Sequence, residues 1–238
     1  MPKLSIIIPV RNEAAVLLEQ LRPLQALRKQ GHELILVDGQ SSDGSPQAAT
    51  SLVDKLLSSK PGRATQMNLG AAQAQGEVLL FLHADTRLPE AADTLISQAL
   101  IGHDWGRFNV RLSGQHVLLR IVERMMNLRS CLTGIATGDQ GIFVRRERFE
   151  QIGGYPELPL MEDIEISKRL RQACGRPACI RTPLTTSSRR WEQHGILRTI
   201  VMMWRMRLLW FCGVPAERLA TQYRRSDPPA RPPANKEP

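Results

Sequence analysis

Residues 78–82 read Val-Leu-Leu-Phe-Leu, and this apolar run ends abruptly in His83-Ala84-Asp85-Thr86. An unbroken run of that length, introduced by Gly76-Glu77, describes a strand buried on both faces, as in a largely parallel sheet. A chain built around such strands needs helices over both faces of its sheet, which restricts it to an α/β architecture. A carboxylate just past the carboxyl end of the strand lies in the crevice where open α/β sheets bind ligands. The competing reading is that Asp85 and Thr86 only cap the helix starting near Pro89-Glu90.

The rest of the chain follows the same alternation. Leu4-Ser5-Ile6-Ile7-Ile8-Pro9-Val10 reads as a first strand whose regular pairing Pro9 ends. Arg11-Asn12-Glu13 is a polar turn, with Asn12 placed to cap a helix running to Lys29 and stopped by Gly31. Glu33-Leu34-Ile35-Leu36-Val37 is a second buried strand that delivers Asp38 to the same sheet edge. The turn formers of residues 39–45 lead into another helix, a weaker strand follows near 52–57, and a helix spans 65–75. Past Asp85 the pattern predicts a helix over 90–101, a strand over 107–112 and a helix over 117–128. The polar residues of that last helix fall on one face, which fits a core or packing helix and leaves a membrane-facing role open. Gly138-Asp139-Gln140-Gly141 is a polar turn feeding a strand, and Met161-Glu162-Asp163 opens a further helix.

These elements suit a single domain over 1–225. The Pro-rich polar residues 226–238 read as a disordered tail. No GxGxxG follows the first strand, which argues against a dinucleotide dehydrogenase. With 32 Lys and Arg against 23 Asp and Glu, the net charge of +9 favours anionic partners. Aromatics at 5% and the absence of a recognisable motif speak against nucleic acid. The four cysteines form no CxxC pair and read as reduced thiols of a cytoplasmic protein. No leader is apparent, and no apolar run reaches the ~20 residues that span a bilayer. The run over 196–212 is interrupted by Arg198, Arg205 and Arg207. The first two share a face and the third points nearly opposite, so packing on the domain is expected there.

Asp38, Asp85 and the Glu162-Asp163 pair all stand where strands end or helices begin. Oxygen ligands beside phosphates are what a hard divalent cation needs to hold a nucleoside diphosphate. Asp85 is the best such ligand; His83 either assists, with a preference for manganese over magnesium, or simply packs. A carboxylate in a half-dry cleft could remove a proton from an attacking hydroxyl.

Ser5-Ile6-Ile7-Ile8-Pro9-Val10-Arg11-Asn12-Glu13 resembles the opening strand and loop of family 2 glycosyltransferases with the GT-A fold. Val37-Asp38-Gly39-Gln40-Ser41-Ser42-Asp43-Gly44 is similar to their second motif, and Leu82-His83-Ala84-Asp85 stands in the place of their DxD. Glu162-Asp163 matches their acidic pair. The resemblance is closest to the bacterial subgroup labelled radical-SAM/selenodomain-associated transferase 2, through Gly62-Arg63-Ala64-Thr65-Gln66-Met67-Asn68, residues 81–89, Gly138-Asp139-Gln140 and Ser188-Arg189-Arg190-Trp191.

That resemblance implies a mostly parallel mixed sheet flanked by helices, with a nucleotide-binding half at 1–88 and an acceptor half at 89–225. It also implies inverting, metal-dependent transfer from a UDP- or GDP-linked sugar to a hydroxyl acceptor. Donor contacts fall to Pro9, Glu13, Asp38, Arg63, Asn68, His83, Ala84 and Asp85, with Asp85 holding Mn2+ or Mg2+. Asp163, with Glu162 beside it, is the implied base. Asp139 and Gln140 shape the acceptor side, and Arg189, Arg190 and Trp191 face the leaving diphosphate. A lipid-linked acceptor, a peripheral membrane contact and a homodimer are all compatible with it. Two positions depart from the pattern: Gly39 replaces the second aspartate of the nucleoside motif, and His83 replaces the first of DxD. A sugar-nucleotide nucleotidyltransferase would use a similar half-sheet, but its Gly-rich loop after the first strand is missing. A non-catalytic binding module is the alternative from another class.

Overall fold

The apolar strands pair side by side. The computed structural model describes residues 1–225. In chain order the elements are β1 (Leu4–Val10), α1 (Ala14–Lys29), β2 (Glu33–Asp38), α2 (Ser45–Ala49), β3 (Lys55–Ser58), α3 (Arg63–Ala72), β4 (Val78–Phe81), β5 (Thr86–Arg87) and α4 (Ala92–Ala99). The second half adds β6 (Trp105–Leu112), α5 (Val117–Thr133), β7 (Phe143–Arg145), α6 (Arg146–Gln151), α7 (Glu162–Cys174), β8 (Ala178–Thr186), α8 (Arg189–His194), α9 (Ile196–Phe211) and α10 (Ala216–Arg225). A single sheet runs β3-β2-β1-β4-β7-β6-β8-β5. Its first half is parallel, β7 is antiparallel to both neighbours, and β6 with β8 returns to parallel. The tail expected at 226–238 lies outside the described residues.

Both faces of the central strands are buried, as unbroken apolar runs require. Leu34 and Leu36 of β2 and Val78 and Leu80 of β4 pack on one face with Leu17, Leu21 and Ile96. Their neighbours Ile35, Val37, Leu79 and Phe81 pack on the other with Met67, Phe149 and Leu170. Gly70 lets α3 approach closely, since a Cβ there would lie 2.5 Å from the Ile7 side chain.

Several local expectations are corrected. Pro9 does not end the pairing of β1: the register continues through Pro9 opposite Val37 and Val10 opposite Asp38. Pro9 N faces the β4 side of the strand, beyond the last β1–β4 pair of Ile7 with Phe81, so its missing N–H costs no ladder bond. Asn12 does not cap α1; it sits at φ +56° and accepts a hydrogen bond from Ser42 N at 2.8 Å. Asp85 and Thr86 do not cap α4 either, because Thr86 enters β5 and α4 begins at Ala92. The strand expected near 52–57 is displaced to Lys55–Ser58, and α5 runs on to Thr133. Helix α9 packs through Thr199 and Met206, with Arg198 and Arg205 exposed and Arg207 half-buried. No helix among the described residues is long and apolar enough to cross a membrane.

Candidate active site

The carboxyl ends of β1, β2 and β4 and the start of α7 bring charged groups together. The loops after β1 and β2 are laced to each other: Asn12 N donates to Ser41 Oγ at 2.9 Å, Glu13 N to Ser45 Oγ at 3.0 Å and Ala14 N to Asp43 Oδ2 at 2.9 Å. This lacing fixes Glu13, whose carboxylate pairs with Arg189 at 3.5 Å. Burial and the nearby Asp85 charge outweigh Arg189 and Arg63, so the Glu13 pKa is raised. Gln66 of α3 ties the two strand ends by donating to Val10 O at 2.8 Å and Val37 O at 2.7 Å. A side chain on residue 39 would start 3.0 Å from that same amide, which accounts for Gly39 where a second aspartate was the pattern.

Asp163 is held in place by backbone donors. Its carboxylate accepts from Gly138 N at 3.1 Å and from Ile164 N at 2.8 Å. Ser167 secures the same turn, accepting from Ala136 N at 3.1 Å and donating to Asp163 O at 2.7 Å. Burial raises the Asp163 pKa against the pull of these N–H groups, Arg63 and Arg129. Burial and the Asp163 charge push Glu162 up to about 7. Asp139 is raised by burial against its bond from Thr137 Oγ1 at 2.5 Å, and it feels both Asp163 and Asp85. Arg63, at the exposed start of α3, lies within electrostatic reach of these acids. Desolvation lowers its pKa, and Glu162, Tyr223, Asp163 and Asp85 more than offset that.

Asp85 and Asp163 both lie within electrostatic reach of Arg63 and of Asp139. Glu13, His83, Asp139, Glu162 and Arg189 belong to the same constellation. Asp38 is spent differently: its carboxylate accepts from Ser41 N at 3.1 Å and shapes the turn after β2. Both ends of the Asn68 amide are taken by the Tyr155 backbone, each at 2.8 Å. Gln140 is fully buried and donates to Ser130 Oγ at 2.9 Å. Trp191 packs beside Leu119 and Ile196, Arg190 stacks 4.0 Å over the Tyr223 ring, and Ala84 lies in the core.

Arg129 and Tyr155 also face the cleft. Burial lowers the Arg129 pKa, while Asp139 and Asp163 hold it up; burial, Asp163 and Glu162 raise Tyr155. Arg129 was hidden because the expected helix stopped one residue short of it. Tyr155 looked like part of a plain Gly-Gly-Tyr-Pro turn.

A cation finds limited protein ligation here. Among the described residues no three His, Cys, Asp or Glu side chains gather to hold a metal by themselves. Asp85 supplies one carboxylate, which suits a cation completed by phosphate oxygens and water. His83 is half-buried; desolvation first, and the Arg63 charge after it, lower its pKa to about 3. It packs against Gly138, where a Cβ would lie 2.5 Å from Nε2.

Residues 5–101 match the family model described as Glycosyl transferase family 2. A probable glycosyltransferase, YdaM of Bacillus subtilis, is 24% identical over 90% of this chain and 55% of its own length. The undecaprenyl-phosphate 4-deoxy-4-formamido-L-arabinose transferase of Yersinia enterocolitica is 33% identical over 61% of this chain and 49% of its own length. The chain thus spans about half the length of these relatives. Among solved structures, the mannosyltransferase PcManGT from Pyrobaculum calidifontis, in complex with GDP-Man and Mn2+, superposes with TM-score 0.63 at 21% identity, over 98% of this chain and 66% of that one. S. aureus TarS 1-349 in complex with UDP-GlcNAc gives 0.61 at 19%, over 78% and 58%. The fold is GT-A, shared with these solved glycosyltransferases, and the match to the glycosyl transferase family 2 model covers residues 5–101. None of these similarities singles out the radical-SAM-associated subgroup.

Proposed function

We propose that this glycosyl transferase family 2 domain moves a glycosyl group from a nucleoside diphosphate sugar to an acceptor hydroxyl, with inversion at the anomeric carbon. The observation that supports this reading is that Asp85 and Asp163, from distant parts of the chain, both act electrostatically on Arg63. Asp163 takes the proton of the acceptor hydroxyl, whose oxygen bonds to the anomeric carbon. The bond from that carbon to the diphosphate breaks, and the nucleoside diphosphate leaves. Backbone donation from Gly138 and Ile164 orients the Asp163 carboxylate, and burial keeps it basic enough to accept a proton. Arg63 and Arg189 face the developing diphosphate charge. A divalent cation bound at Asp85 would neutralise part of that same charge. Glu13 holds Arg189 toward the donor side.

The acceptor class has two readings. The Yersinia relative is named for undecaprenyl phosphate, a lipid-linked acceptor whose nucleophile is a phosphate oxygen. Such an oxygen is already anionic and needs no base, so replacing Asp163 separates it from a hydroxyl acceptor. The reading is tested by incubating the chain with UDP- and GDP-linked sugars, with manganese or with EDTA, and following which is consumed. Manganese-dependent consumption of one sugar nucleotide is expected; consumption of none by the folded chain contradicts it.

A further inference from the structure

Helices α5 and α9 carry apolar surface that the acidic cleft does not use. Val117, Ile121, Met125, Leu128 and Leu132 of α5 are each between 49% and 73% exposed. Leu197, Val201, Trp204, Leu208 and Phe211 of α9 are between 62% and 67% exposed. At ~100° per residue each set spans an arc of about 80°, a continuous stripe along its helix. The two helices pack on each other through Leu119, Val122 and Met126 against Ile196 and Ile200, faces other than the stripes. Two exposed apolar stripes on neighbouring helices, ten large side chains in all, mark an interaction surface rather than scattered surface residues.

The charges around it choose the partner. On α9, Arg198 and Arg205 border the stripe on one side and Arg207 on the other, and the helix contains no acidic residue. On α5, Arg124 borders the stripe. Beyond it lies a groove of about 330 Å3 whose lining includes Arg111, Arg120, Arg124 and Arg181. The one acid of α5, Glu123, is buried and paired with Arg120 at 3.0 Å. A second copy meeting this face about a two-fold axis would set arginine against arginine. An anionic bilayer meets both needs, since acyl chains accept the stripes while long arginine side chains reach up to the headgroups.

We propose that α5 and α9 together form a docking surface for an anionic lipid bilayer. Docking there brings the cleft to the membrane edge. Arg129 of α5 faces Asp139 and Asp163, and Met206 of α9 packs with Met161 and Ile164 beside the Glu162-Asp163 pair. The surface itself does not depend on the transfer reaction, and its test reads binding rather than activity.

The full chain is sedimented with vesicles of phosphatidylcholine alone and of phosphatidylcholine mixed with phosphatidylglycerol. Binding to the anionic vesicles, weakened by salt, is expected. Trp204→Glu combined with Leu208→Glu should abolish it. Arg198→Gln combined with Arg205→Gln should lower it by more than tenfold, at about fivefold for each arginine near the surface. Both pairs of residues are exposed, and circular dichroism and melting temperature confirm the fold of each variant; should the glutamate variant misfold, the glutamine variant decides. The proposal is overturned if the wild-type chain stays in the supernatant with anionic vesicles, or if the folded glutamate variant binds as the wild type does. A dimer in light scattering that the glutamate substitutions dissociate, without any vesicle binding, would assign the face to a second copy instead.

Discussion

The backbone N–H of Gly138 donates to the Asp163 carboxylate at 3.1 Å, while the same glycine lies against the His83 ring. One residue thus joins the strand-end motif around Asp85 to the helix-start motif around Asp163. The absence of a side chain at 138 is what permits both contacts.

Gly138→Ala should consequently damage both ends of the cleft. Its Cβ would lie 2.5 Å from His83 Nε2, so either the imidazole or the 137–139 turn must move. A loss of about 1–3 kcal/mol of stability is expected from such overpacking. Denaturant melts check this, and an unchanged midpoint would show that the ring relocates freely.

Asp163→Asn keeps the hydrogen-bond acceptor but removes the base. Transfer to a hydroxyl acceptor should fall by about 10²–10⁴-fold, while nucleotide affinity changes little. Single-turnover assays beside nucleotide titrations separate the two effects. Wild-type transfer by this variant to a phosphate acceptor would assign the acceptor to the lipid phosphate class.

The Glu162 carboxyl titrates near 7 in the folded chain against 4.5 in an ordinary setting. A raised folded-state value contributes stability below about pH 4.5 and loses it as pH climbs through about 7. Glu162→Gln removes this dependence and should be the more stable form at pH 8, with no such gain at pH 4. Melting temperatures of both proteins across that range give the answer, and parallel pH profiles would refute the linkage.

Asn68 was expected on the donor side, yet both ends of its amide bind Tyr155. Asn68→Ala should cost about 1–3 kcal/mol of stability, since buried backbone groups lose their partner. Nucleotide affinity of the folded variant should stay near that of the wild type. A large affinity loss with unchanged stability would return Asn68 to the donor site.

The parallel half of the sheet was legible because β1, β2 and β4 are apolar on both faces, a pattern that leaves little choice of element. The long strand β8 was not. It holds Pro183 and exposed threonine and arginine side chains, and its register with β6 shifts between Phe108 and Asn109, which erases the alternation. The placement of Asp85 just past a buried strand was readable from the apolar run before it. Gln66, Arg129 and Tyr155 were not, because their places depend on helix length and on contacts across the fold. Nor do motifs tell which side chains are engaged within the protein, as Asp38, Asn68 and Gln140 are through their hydrogen bonds to neighbouring groups.

The most direct measurement is isothermal titration of UDP and of GDP into the folded chain with manganese, repeated with Asp85→Asn. Manganese-dependent binding of one nucleotide, weakened at least tenfold by the substitution, is the expected result. Binding of neither nucleotide, or equal manganese-dependent binding to both proteins, would contradict a donor site built on Asp85.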